Sequence, residues 1–94
     1  PFNFWTVALA DAYYKLGDIE KANEIVEDIS LIFEEELTYY FSIRRKFRVR
    51  LMSDIQLALH VYQEMVRLTG EFNQTELNLL LTEKFTEFYM MYSQ

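Results

Sequence analysis

No cysteine occurs in the 94 residues, so neither a disulfide framework nor a thiolate metal site can form, and the redox compartment stays open. His60 is the single histidine, which excludes a two-histidine metal site or a histidine relay within one chain. Two glycines and one proline leave little material for tight hairpins, a scarcity that favours helices over sheet. No apolar run approaches the roughly 18 residues of a membrane span, and nothing at the start reads as a signal peptide. Positive charge is also scarce. Nine Lys and Arg against fifteen Asp and Glu give a net charge of −6, which argues against nucleic acid as a partner of the whole surface. The chain starts at Pro1 rather than Met, so it is expected to be a piece of a longer polypeptide.

What is present is apolar and aromatic. Residues 1–94 make one domain, and a chain of this length buries only about 60 to 65% of its unfolded surface, so its core must be dense. Eight Phe and seven Tyr beside Trp5 supply it, since each aromatic ring can bury roughly 150 to 250 Å².

Apolar residues at three- and four-residue spacing predict four helices, over about 4–16, 18–41, 48–72 and 75–92. The first is expected to bury Trp5, Leu9, Ala12, Tyr13 and Leu16. Gly17 ends it in a left-handed conformation, and Asp18 caps the second. The second carries Ile19, Ala22, Val26, Ile29, Phe33, Leu37 and Tyr40. The pattern lapses between Ser42 and Arg50, which reads as a connection. The third stripe is Leu51, Ile55, Ala58, Tyr62, Met65 and Phe72, with Thr69 its polar member; Gly70 weakens the last turn and Asn73 stops it. Leu77, Leu81, Phe85, Phe88 and Tyr92 mark the fourth, with Asn73 or Thr75 as its cap. The fold class is therefore all-α: two antiparallel helical hairpins, joined by a basic connection and stacked as an α-α superhelix array.

The first hairpin, through Leu9, Ala10, Ala12, Tyr13, Tyr14, Lys15, Gly17, Asp18 and Ala22, resembles the tetratricopeptide superfamily. Thr6 and Ile29 depart from that pattern, and the Pro that closes the unit is missing. With Asn73 laid over Gly17, Thr69 falls where Tyr13 sits and Asn78 where Ala22 sits, so the second hairpin reads as a degenerate copy. A wider resemblance runs through residues 13–26, 34–42, 54–59 and 83–89 to the soluble C-terminal tail of a Bacteroidetes family of multi-pass, glycosyltransferase-like membrane proteins of unknown function. It implies that the chain is the tail of such a protein and reaches the membrane through its parent, in which a glycosyltransferase activity would reside. It carries no catalytic residue onto these 94 positions.

The remaining candidates have ordinary structural explanations beside the functional ones. Glu34, Glu35 and Glu36 are successive helical residues that fan apart by about 100° each, so they make a solvated face rather than converge on a metal with Asp28. No acid lies three residues before His60, and Ser30, Ser42, Ser53 and Ser93 lack a nucleophile's setting, so no catalytic, cofactor or metal residue is assigned. Arg44, Arg45, Lys46, Arg48 and Arg50 form a basic run with no acid between Leu37 and Ser53. It reads either as a docking face for an anionic membrane surface or acidic protein, or as internal balance for the nearby glutamates and the helix end. Tyr13, Tyr14, Tyr39, Tyr40, Tyr62, Tyr89 and Tyr92 could line a sugar or peptide groove, although this spacing more often packs a core. Phe85 and Phe88 through Tyr92 are apolar around most of a helix, and Phe88, Tyr89, Met90, Met91 and Tyr92 are the expected interface with another subunit or the rest of the parent chain. The expected function is a non-catalytic, tetratricopeptide-like interaction and docking module. A self-contained adaptor for an extended peptide is the competing reading.

Overall fold

The computed structural model describes the backbone of residues 4–94 and the side chains of residues 5–43 and 53–94. The protein is all-α, with α1 (Phe4–Lys15), α2 (Ile19–Glu71) and α3 (Thr75–Tyr92). Helical backbone continues without a break through the expected connection at Ser42 to Arg50. That stretch has neither Gly nor Pro, and Arg and Lys are good helix formers, so its local preference is helical.

A straight helix of 53 residues would be roughly 80 Å long, yet the longest axis of the molecule is 45 Å. α2 therefore doubles back, and its arms, 19–43 and 53–71, lie antiparallel: Ser30 meets Tyr62, and Asn23 bonds Gln74 just past the second arm. Counted as arms, the four helical segments run up, down, up and down. α3 lies along both arms of α2, reaching the first through Lys84 and Glu34 and the second through Gln56 and Tyr92. α1 packs on α2, and among the described residues its backbone does not come close to that of α3.

The core follows the expected spacing on α2 and α3. Ala22, Val26, Ile29, Phe33 and Leu37 of the first arm face Ile55, Ala58, Tyr62 and Met65 of the second, with Leu77, Leu81 and Phe88 closing the layer. Ile19, Tyr40, Phe72, Phe85 and Tyr92 pack partly buried at its edges. Leu51 falls among the residues whose side chains lie outside the described set.

α1 departs from expectation. It buries Val7, Ala10 and Tyr14, and the stripe expected inside faces outward: Trp5 is 82% and Leu16 80% exposed, with Leu9 and Ala12 also exposed and Tyr13 only partly covered. The reason is size. Ala10 and Ala22 are both fully buried, and small side chains let helix backbones approach in a way that Trp or Leu would block.

Both helical turns have the same build. Gly17 (φ 84°) and Asn73 (φ 59°) take the left-handed conformation. Around Gly17, its N–H donates to Tyr14 O at 3.0 Å and Asp18 N–H donates to Tyr13 O at 2.9 Å. Around Asn73, its N–H donates to Gly70 O at 3.2 Å and Gln74 N–H donates to Thr69 O at 2.8 Å. Each pair is a Schellman closure that satisfies carbonyls the helix end would otherwise strand. Asp18 caps α2 as expected, accepting from Lys21 N–H at 3.2 Å. The cap of α3 is Gln74, not Asn73 or Thr75, and its side chain makes no capping bond because it is engaged elsewhere.

Asn78 explains why the second hairpin loses the Ala22 signature. Its amide donates to Val66 O at 2.7 Å and to Thr69 Oγ1 at 3.3 Å, so a polar bridge replaces the close Ala contact of the first hairpin. Gly70 lies beside this bridge: a Cβ there would stand in van der Waals contact with Asn78 Nδ2, at 3.4 Å.

Candidate functional site

Two surface features emerge: a polar relay joining the turns and a groove between the first arm of α2 and α3. In the relay, the Tyr14 hydroxyl donates to Asn23 Oδ1, the Asn23 amide donates to Gln74 Oε1 at 2.9 Å, and the Gln74 amide donates to Phe72 O at 3.0 Å. The Tyr14 ring stacks on Phe72 with centroids 5.0 Å apart and planes 14° from parallel. Burial, reinforced by the charge of Glu27, pushes the Tyr14 phenol up to about 12, which keeps it a neutral donor at physiological pH.

The groove begins beside this relay, in a depression of about 470 Å³ walled by Asn23, Glu27, Gln74, Glu76 and Leu80. Glu27 and Leu80 also wall the next depression, of about 230 Å³, with Leu31, Glu34 and Lys84. Beyond α3, Leu31 and Glu34 in turn line a third, of about 720 Å³, whose described lining is the first arm of α2 alone, with Glu35, Thr38, Tyr39 and Ile43. Lys84 is the only cation on these walls among the described residues. It spans the groove to Glu34 at 2.7 Å, and that hydrogen bond raises its pKa above the ordinary lysine value. Among the described residues Glu27, Glu35 and Glu76 have no ion-pair partner.

Other predicted candidates scatter. Glu34 turns to Lys84, while Glu35 and Glu36 are exposed, and no described group of His, Asp and Glu side chains is arranged to hold a metal. Ser30 is buried on Tyr62. His60 is exposed and lines a shallow depression of about 180 Å³ with Gln56, Gln63, Phe85, Tyr89 and Tyr92. Tyr14 and Tyr62 belong to the core, and Tyr39 and Tyr89 are exposed on different elements, so the tyrosines do not form one groove. The expected C-terminal interface is corrected at Phe88, which is buried in the chain's own core against Phe41 and Tyr62. Met91 and Tyr92 are partly buried beside it, leaving Tyr89 and Met90, the latter 60% exposed, to face outward. The side chains of Arg44, Arg45, Lys46, Arg48 and Arg50 lie outside the described residues.

Sequence reasoning missed the groove because Leu31, Tyr39 and Leu80 sit off the apolar stripes, on faces otherwise read as solvated. Two signals were available: Leu31 interrupts the polar side of α2, and Leu79-Leu80-Leu81 is wider than one buried face needs. No described helix is long and apolar enough to cross a membrane. No protein-family model, curated protein or solved structure matches the chain.

Proposed function

We propose that the chain is a non-catalytic docking module of tetratricopeptide type, the C-terminal tail of a membrane-embedded, glycosyltransferase-like protein. The observation that supports it is the outward stripe of α1 and the turn after it, where Trp5, Leu9 and Leu16 are all exposed at helical spacing. In stacked helical hairpins this is the face against which a neighbouring helix rests, and exposed apolar surface of this extent marks an interaction site. The equal build of the two turns supports the comparison with a repeat. On this reading the partner is the rest of the parent chain or another subunit, and the basic run from Arg44 to Arg50 adds contact with anionic lipid.

The test is made in the intact parent. Trp5→Glu with Leu16→Glu is expected to leave the helicity of the purified tail unchanged while abolishing its co-purification with the detergent-solubilised membrane part. Unchanged co-purification, or a parent gene without membrane segments, would overturn the reading. Liposome binding with and without anionic lipid, comparing wild type with Arg44→Glu/Arg45→Glu, tests the lipid contact separately.

A further inference from the structure

The groove that begins between the first arm of α2 and α3 and continues along the first arm has the composition of a site for a helix, and its charge states which kind. Leu31, Tyr39 and Leu80 are large apolar side chains held in the open, Leu31 at 61% exposure. Around them stand Glu27, Glu35 and Glu76 without ion-pair partners among the described residues, while Lys84, the one cation among the described lining residues, is neutralised by Glu34. From Asn23 to Ser42 the floor follows the first arm for roughly 28 Å, the length of about 18 helical residues.

We propose that this groove binds a Lys/Arg-rich amphipathic helix from a protein partner, its apolar face on Leu31, Tyr39 and Leu80 and its basic flanks against Glu27, Glu35 and Glu76. Apolar side chains alternating with acids along both helices offer such a helix both area and charge, and repel an acidic one of equal hydrophobicity. The groove lies apart from the Trp5 to Leu16 face of α1, so this inference stands whether or not α1 docks on a parent domain.

The probe is a synthetic amphipathic Leu/Lys peptide of about 18 residues, with a Leu/Glu peptide of identical apolar face as control. Titrated into the isotope-labelled 94-residue chain, the Leu/Lys peptide is expected to shift the amides of Leu31, Tyr39 and Leu80 and to bind about tenfold more tightly than the control, an advantage that shrinks at high salt. Glu27→Gln/Glu35→Gln should weaken it by about tenfold, and Glu20→Gln/Asp54→Asn, an equal charge change off the groove, by less than about twofold. Leu31→Gln/Leu80→Gln should weaken it without altering the salt slope. Absence of binding overturns the proposal, as do equal affinity for the acidic peptide, equal loss in both charge pairs, or shifts centred elsewhere. Self-association of the chain abolished by Leu31→Gln would put a second copy in the groove and overturn it too.

Discussion

The Tyr62 hydroxyl donates to the backbone carbonyl of Ser30 at 2.7 Å, and Ser30 Oγ returns a contact to the same phenol at 3.2 Å. Both residues are buried, and the pair fixes the register of the two arms of α2 far from the reversal that joins them. An apolar contact would allow the arms to slide; a hydroxyl that must find a particular carbonyl does not.

Tyr62→Phe keeps the ring and removes the oxygen, leaving Ser30 Oγ without that partner in a dry site. It is expected to cost about 1 to 2 kcal/mol, read as a lower midpoint in urea denaturation. Tyr62→Ala also opens a cavity beside Phe88 and should cost roughly 3 to 5 kcal/mol. Equal losses for the two variants would show that the hydroxyl contributes most of what this residue adds.

Gly17 and Asn73 occupy left-handed backbone, but only one of them is a glycine. Nothing stands within 4 Å of a Cβ built on Gly17, so the cost of Gly17→Ala is conformational alone, about 1 to 2 kcal/mol. Asn73→Gly should leave stability within about 0.5 kcal/mol of wild type or raise it slightly, whereas Asn73→Val should destabilise. Thermal melts of the three variants decide this.

Two buried phenols make the fold alkali-sensitive. Burial pushes Tyr14 and Tyr62 up to about 12 from the ordinary value near 10. Above pH 10 the unfolded chain releases protons that the folded chain still holds, so their contribution is whole below about pH 10 and is lost as the pH rises to about 12. Melting temperatures measured across that window should fall, and the decline should be shallower in Tyr62→Phe.

The outward stripe of α1 gives a paired prediction. Trp5→Glu and Leu16→Glu are expected to leave stability within about 0.5 kcal/mol of wild type, because both side chains are mostly in water. Ala10→Leu, a milder change by composition, should cost roughly 1 to 3 kcal/mol by forcing α1 away from α2. The reverse ranking would restore the face that the sequence pattern favours.

The comparison between these two faces shows what was legible in the sequence. Apolar spacing found the buried sides of α2 and α3 because their other sides are charged. α1 is apolar nearly all round, so spacing chose the larger side chains, and the smaller Val7 and Ala10 were the ones that fit. The turns were readable from Gly17 and Asn73, the two residues that accept the left-handed conformation. The reversal of α2 was not, because nothing between Phe41 and Ser53 breaks a helix and the doubling back shows only in contacts such as Ser30 with Tyr62. The groove was hidden for a related reason: one leucine on a polar face means little until α3 brings Leu80 beside it.

The relay from Tyr14 through Asn23 to Gln74 bears on how the molecule comes apart. It links the end of α1, the start of α2 and the start of α3, although among the described residues the backbones of α1 and α3 do not come close. Undocking of α1 or of α3 at its turn therefore removes a partner from Asn23 in the middle of the structure. The amides flanking the two turns should exchange with deuterium at a common rate, as one cooperative unit rather than as two hairpins that open in turn.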